Sequence, residues 1–243
     1  MKLRLLSIPM LLGSLAVIGC QTPPGYQAMN SNREAVTRPE QVVDFETLYA
    51  HNCAGCHGEH GQNGAAIALA NPVYLAMASE ADLKRIISGG VQGTAMPAFA
   101  KSAGGMLTDQ QIDALVQGME KSWSNASQLG EVKPPAYAST SKGDAAHGQA
   151  AYGTYCGRCH GSDGAGIADK HIGSIVDPTY LALVSDQGLR SVIISGQPVQ
   201  GMPDWKSAKV GDATHVLTDQ EITDIVAWLA SHRVETPGQV YQH

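Results

Sequence analysis

The sequence predicts an all-α chain in which one helical unit is used twice, and three observations carry that expectation. A five-residue motif, Cys53-Ala54-Gly55-Cys56-His57, returns as Cys156-Gly157-Arg158-Cys159-His160. A train of further matches follows each copy in the same order. Asn71-Pro72-Val73-Tyr74-Leu75-Ala76 pairs with Asp177-Pro178-Thr179-Tyr180-Leu181-Ala182, Ile87-Ser88-Gly89 with Ile194-Ser195-Gly196, Ala95-Met96-Pro97 with Gly201-Met202-Pro203, and Leu107-Thr108-Asp109-Gln110 with Leu217-Thr218-Asp219-Gln220. Such self-similarity marks a duplicated unit. Finally, the apolar residues behind the last match recur at helical spacing, and the β-branched runs and turn spacing of a sheet are absent.

Each element has its own signal. A helix leads into each Cys motif, with Phe45, Leu48 and Tyr49 before the first and Ala151, Tyr152 and Tyr155 before the second. A middle helix starts near Ser79, with Asp82 at the capping-box position and Gly89 as its stop. The last helix of each unit opens on a capping box, Thr108 with Gln111 and Thr218 with Glu221. Behind the boxes, Ile112, Leu115, Val116 and Met119, then Ile222, Ile225, Val226 and Leu229, fall at i, i+3, i+4, i+7 and give each helix one apolar face. Phe45 and Gly118, and likewise Gly148 and Trp228, occupy equivalent places with large and small exchanged.

C-x-x-C-H is the c-type haem attachment signature. Two thiols form thioethers to one haem, and the adjacent His is its proximal ligand. A single copy also fits a redox dithiol or half a zinc site. Two copies, each followed by Gly and each with a matched downstream Met, favour two covalently attached haem c groups. The attachment residues are then Cys53, Cys56, Cys156 and Cys159, and the proximal ligands His57 and His160. Met96 and Met202 hold the same place in each repeat, each before a Pro that stiffens the loop, and are the expected distal ligands. Met77 and Met119 read as core filler, and Met106 has no counterpart, since Val216 stands there. The ligating His usually donates its second ring N–H to a carbonyl; Pro72 and Pro178 are placed to supply it, or are ordinary turn prolines. Lys84, Arg85 and Arg190 on the middle helices suit either a solvated face or contact with haem propionates.

The remaining features set compartment and partners. The length, 243 residues, fits one or two domains, and aromatics are only 5%, so haem would supply apolar bulk that the core lacks. A formal charge of −6 argues against nucleic acid as a partner. Lys2 and Arg4 precede an apolar run from Leu5 to Ile18 that ends in Val17-Ile18-Gly19-Cys20. This looks like a bacterial lipoprotein signal peptide (1–19) with lipid on Cys20, the run being short for a membrane span. The expected order is a lipidated tether over 20–40, a haem domain over 41–125, a linker over 126–144, a second haem domain over 145–232 and a tail over 233–243.

The chain resembles the class I cytochromes c, and most closely the tandem cytochrome c domains of cbb-type oxidase subunits. The resemblance rests on C-x-x-C-H-G, a later Pro, I-x-x-G, M-P with a nearby aromatic (Phe99, Trp205), and L-T-D-x-x-I, all present in both copies. It implies two tandem cytochrome c-type haem domains in respiratory or photosynthetic electron transport. It also implies that the leading and last helices cross near the haem, a small residue on one making room for an aromatic on the other, so that Phe45 is expected over Gly118 and Trp228 over Gly148. The expected protein is a dihaem carrier, not itself an enzyme. It would be tethered by Cys20 to a membrane of the bacterial cell envelope on the periplasmic or extracytoplasmic side. Its partners would be redox proteins or a membrane respiratory complex, with the chain either moving between complexes or serving as the cytochrome subunit of a quinol-oxidising one. A dihaem enzyme such as a cytochrome c peroxidase needs an iron with an open site, and two Met ligands disfavour it. A binding module using haem only as structure would leave duplicated haems without a purpose.

Overall fold

The computed structural model describes residues 37–130, 132–207 and 215–234; the signal region and Cys20 lie outside them. Among the described residues each half carries five α-helices. In the first these are α1 (Phe45–Asn52), α2 (Ala54–His57), α3 (Pro72–Met77), α4 (Glu80–Gly89) and α5 (Asp109–Trp123). The second repeats them as α6 (Ala145–Tyr155), α7 (Gly157–His160), α8 (Pro178–Leu183), α9 (Asp186–Ser195) and α10 (Asp219–Ala230). Among the described residues there is no strand, only three isolated bridges.

The helices begin where side chains can satisfy their free backbone N–H groups. Asp44 and Asp144 cap the leading helices, and Ser79 and Ser185 the middle ones. The Thr108–Gln111 and Thr218–Glu221 boxes form in full. Pro72 and Pro178 each stand at the start of a helix behind a capping Asn71 or Asp177, where a missing N–H loses nothing. The middle helices end on Gly90 (φ 68) and Gly196 (φ 64), so the match of Ile87-Ser88-Gly89 to 194–196 slides by one residue.

In each half the last helix crosses the leading helix, α5 on α1 and α10 on α6, and also packs on the middle helix. Leu115, Val116, Met119, Ile222, Ile225 and Leu229 are buried on those faces. Phe45 does pack over Gly118, since a Cβ added there would fall within the Phe45 side chain. The second crossing differs. A Cβ on Gly148 would strike the backbone of Asp224 and Ile225, so Gly148 lets two helix backbones meet and is not the seat of Trp228. Trp228 lies against Tyr152, ring centroids 4.2 Å apart, and beside Gly164. In the first half that duty falls to Trp123, which meets Tyr49 edge-on at 4.9 Å and approaches Gly61. Both tryptophans therefore cover equivalent Tyr and Gly residues from different turns of the last helix.

The segment over 126–144 is packed. A 3-10 turn (Ala126–Leu129) contacts α3, and Leu129 and Tyr137 are buried. Arg190, buried on α9, holds this segment. Its guanidinium donates to the carbonyls of Ala136 (2.8 Å) and Tyr137 (3.1 Å) and to Thr223 Oγ1 (3.1 Å), and it pairs with Asp219. Helix α3 packs on α9, so the two halves touch directly. No helix among the described residues is long and apolar enough to cross a membrane.

Candidate haem sites

Each Cys motif is wound into a single helical turn. The N–H groups of Cys56 and His57 donate to Cys53 O at 3.2 and 3.0 Å, and those of Cys159 and His160 to Cys156 O at 3.0 Å each. This sets the two thiols one turn apart with the His directly following. The leading helix is tied to the motif from behind. Tyr49 Oη donates to Gly58 O (2.9 Å), and Tyr152 Oη to Gly161 O (2.5 Å). Gly58 and Gly161 both adopt φ +82, and the chain then folds back so closely that a Cβ on Gly58 would strike Gln62 and Gly64. The return loop is pinned by Ala66 N–H on Cys56 O and Gly166 N–H on His160 O, each 2.9 Å.

The electrostatics suit a ligand-binding His and distinguish the motif from a reactive dithiol. Burial pushes the Cys53 thiol up to about 11 and Cys156 up to about 12, with the neighbouring Cys of each pair adding to the rise. Reactive dithiols have depressed thiol pKa values. Burial also lowers the pKa of both His57 and His160, which keeps the rings neutral as a metal ligand requires. Among the described residues no three His, Cys, Asp or Glu side chains gather into a metal-binding group, as a zinc site needs. A haem, which brings its own four nitrogens, asks only for the axial side chains.

Of the two roles open to Pro72, the structure shows the ordinary one, and another carbonyl faces the His57 ring. His57 Nδ1 lies 2.8 Å from Ile67 O, in the loop before α3, and Pro72 contributes only to the start of that helix. With Nδ1 so engaged, Nε2 is the ring nitrogen that remains. His160 differs, since its buried Nδ1 has no hydrogen-bond partner among the described residues. In the second half the corresponding loop carries an inserted turn (Ala168–Lys170) and closes on itself through paired bonds between Ile167 and Ile172. The carbonyls of Ile167 and Ile172 thereby accept from each other's N–H.

Met96 and Met202 lie in loops hung from the ends of α4 and α9. Val91 N–H donates to Met96 O (3.0 Å) and Gln197 N–H to Met202 O (2.9 Å). Met96 is half-buried and packed on the core, whereas Met106 is 79% exposed and Met77 and Met119 are core residues. Trp205 is buried, and its N–H donates to Ile194 O, as Phe99 N–H donates to Ile87 O, so the aromatic after each Met-Pro fixes the loop to its helix. The cations have other partners. Lys84 pairs with Asp113 (2.8 Å) and Arg85 with Asp82 (3.1 Å), while Arg190 is buried and clamps the linker.

The chain has relatives among known proteins. The family model for cytochrome c oxidase, cbb3-type, subunit III matches residues 40–117 and again 143–229. A cbb3-type cytochrome c oxidase subunit CcoP of Azospirillum sp. (strain B510) is 30% identical over 184 residues, 69% of this chain and 56% of that protein. The chain thus spans about half the length of the curated relative it matches. Among solved structures, the Kuenenia stuttgartiensis reducing HAO-like protein complex Kustc0457/Kustc0458 overlaps 78% of this chain and 95% of its own (19% identity, TM-score 0.45). The thiosulfate dehydrogenase TsdBA of Marichromatium purpuratum overlaps 85% and 45% (20% identity, TM-score 0.30). With the family unit matched twice along an all-α chain, the protein belongs to the cbb3-type cytochrome c oxidase subunit III family and is a c-type cytochrome of two tandem haem domains.

Proposed function

We propose that the chain carries two haem c groups and passes single electrons between redox proteins or to a membrane respiratory complex. Cys53, Cys56, His57 and Met96 hold the first haem, and Cys156, Cys159, His160 and Met202 the second. The observation that carries this reading is the recurrence, in both family segments, of a one-turn Cys-Cys-His helix together with a methionine loop fixed to the neighbouring middle helix. Bound haem supplies an iron that gains and loses one electron without exchanging ligands. The chain's part would be to offer His57 with Met96 and His160 with Met202 as ligands and to keep water away from them. The bond to Ile67 O holds the His57 ring in one orientation, and the cores around Leu115 and Ile225 exclude water. His/Met ligation favours a high potential, suited to delivery of electrons rather than to oxygen or peroxide chemistry. The domains run over 41–125 and 145–232, joined by 126–144. A lipid on Cys20, which closes the apolar run from Leu5 to Ile18, holds the pair to a bacterial membrane on its extracytoplasmic side.

The pyridine haemochrome of denatured, acid–acetone-extracted protein should give two haems per chain. Cys53→Ala with Cys56→Ala should leave one. A ratio near one in the unaltered protein would refute the dihaem reading. High-spin iron with peroxide turnover would refute the carrier reading. Cys20→Ser should release the protein from membranes with its haem spectrum unchanged; retention after a salt wash would refute lipid anchoring.

A further inference from the structure

The two methionine loops are braced by different means. In the first, support is internal: Thr94 Oγ1 donates to Val91 O (2.8 Å) and accepts from Met96 N–H (3.2 Å). Gln200 stands in the place of Thr94 in the second loop, and the Met202 N–H turns to the Gln197 carbonyl at 3.1 Å. The loop's root is held from the other half of the molecule. Asn71, 6% exposed, donates from Nδ2 to Ser195 O at 2.9 Å, with Gly196 O at 3.5 Å. Ser195 closes α9, and Gly196 is the left-handed residue from which the Met202 loop departs. The same carboxamide accepts through Oδ1 from Val73 and Tyr74 N–H, at 2.9 and 3.3 Å, and so caps α3. Asn71 also adjoins Ala70, whose N–H bonds Gly61 O in the loop that supplies Ile67 O to His57.

A carboxamide suits this double role because its acceptor and its donor are separate atoms, whereas a Ser or Thr hydroxyl must offer both from one oxygen with a shorter reach. The repeat supplies the control. Its equivalent Asp177 caps α8 through Tyr180 N–H (2.9 Å), has no proton to donate, and is exposed.

We propose that Asn71 is a positioning residue for the second haem: from the first domain it fixes the root of the loop that presents Met202, and so ties the proximal side of one site to the distal side of the other. The proposal rests on Met202 being an axial ligand. Its prediction is asymmetric. Loss of the Asn71 donor loosens Met202 on its iron and leaves Met96 as it was, although Asn71 belongs to the same half as Met96.

The test uses the full holoprotein and the near-infrared methionine-to-iron band. In a Met96→His background that band reports Met202 alone, and in a Met202→His background Met96 alone. Asn71→Asp keeps the α3 cap but sets a carboxylate against two carbonyls. Asn71→Ser keeps a capping oxygen without the reach, and serves if the Asp variant does not fold. Imidazole is titrated against the band. In the Met96→His background either substitution should lower the imidazole concentration that removes half the band by about tenfold, the equivalent of about 1.4 kcal/mol. In the Met202→His background the midpoint should stay within about twofold, a change smaller than the tenfold that 1.4 kcal/mol gives. Equal shifts in both backgrounds, or none in either, would overturn the positioning role. If Met202→His alone leaves the whole band in place, the ligand reading itself fails and the positioning role with it.

Discussion

At Gly118 and Gly148 two helices cross too closely for a side chain, but the obstructing atoms differ, and so do the consequences. Ala is the better helix former by about 1 kcal/mol, so either Gly→Ala change is stabilising in the absence of a clash. Gly118→Ala should nonetheless destabilise by about 1–3 kcal/mol because the new methyl meets the Phe45 side chain. Phe45→Ala in the same chain should restore part of that loss, since the obstruction is itself a side chain. Gly148→Ala should destabilise at least as much and resist rescue by Trp228→Ala, because the obstruction is the Asp224 backbone. Urea denaturation of the four single and double variants measures this, and a rescue of Gly148→Ala by Trp228→Ala would refute the assignment. The Phe45–Gly118 pair was legible in the sequence because size complementarity leaves a signature in residue identity. The Gly148 contact was not, as nothing in a sequence says whether a small residue makes room for a ring or for another backbone. The same blindness hid the kinship of Trp123 and Trp228, whose positions differ along the helix while their rings cover the same Tyr-Gly pair.

The helices were legible at the level of elements because period and caps agree: every capping box read from residue identity forms. The two last helices differ in what the box is made of. Gln111 cannot titrate, and Glu221 can. Burial pushes the Glu221 carboxyl up, but hydrogen bonds from the Thr218 N–H and hydroxyl and from His215 outweigh it and leave it below the ordinary glutamate value. A carboxyl lowered in the folded state adds stability that is present above its unfolded pKa and is lost as the pH falls through the folded one. The first turn of α10 should therefore lose hydrogen-exchange protection as the pH drops below the ordinary glutamate range, while the first turn of α5 keeps its own. Glu221→Gln should abolish that difference; a slope unchanged in the variant would assign it to other carboxylates. The partner of His57 was illegible for the opposite reason. It is a backbone carbonyl in an irregular loop, and any residue type at position 67 offers one.

For the molecule as a whole, the segment after α5 matters more than its composition implied. Its Pro134-Pro135 and Ser/Thr/Lys content marks a connector, but burial of Leu129 and Tyr137 and the grip of Arg190 make it part of the body. Arg190→Met should cost about 2 kcal/mol or more, mainly because the Ala136 carbonyl is left without its donor. The Asp219 pair adds little, Asp219 being 45% exposed. Limited proteolysis should then cut the variant within residues 130–142 several times faster than the parent, and equal rates would show that the clamp is redundant. The contact of α3 on α9 has a further consequence for the duplication. It is a heterologous contact, donor face on one copy and acceptor face on the other. Counted from the capping serines, Ser191 and Ser195, both buried on α9, correspond to Arg85 and Gly89 on α4, where Arg85 is exposed. A chain assembled from two first halves would set an arginine at a buried position of the second middle helix, and one assembled from two second halves would offer Asp177 where an amide must give a proton. The tandem is thus no longer a pair of interchangeable modules: the order of its halves is written into their surfaces, and a swapped or homogenised gene would encode two haem domains that no longer recognise each other.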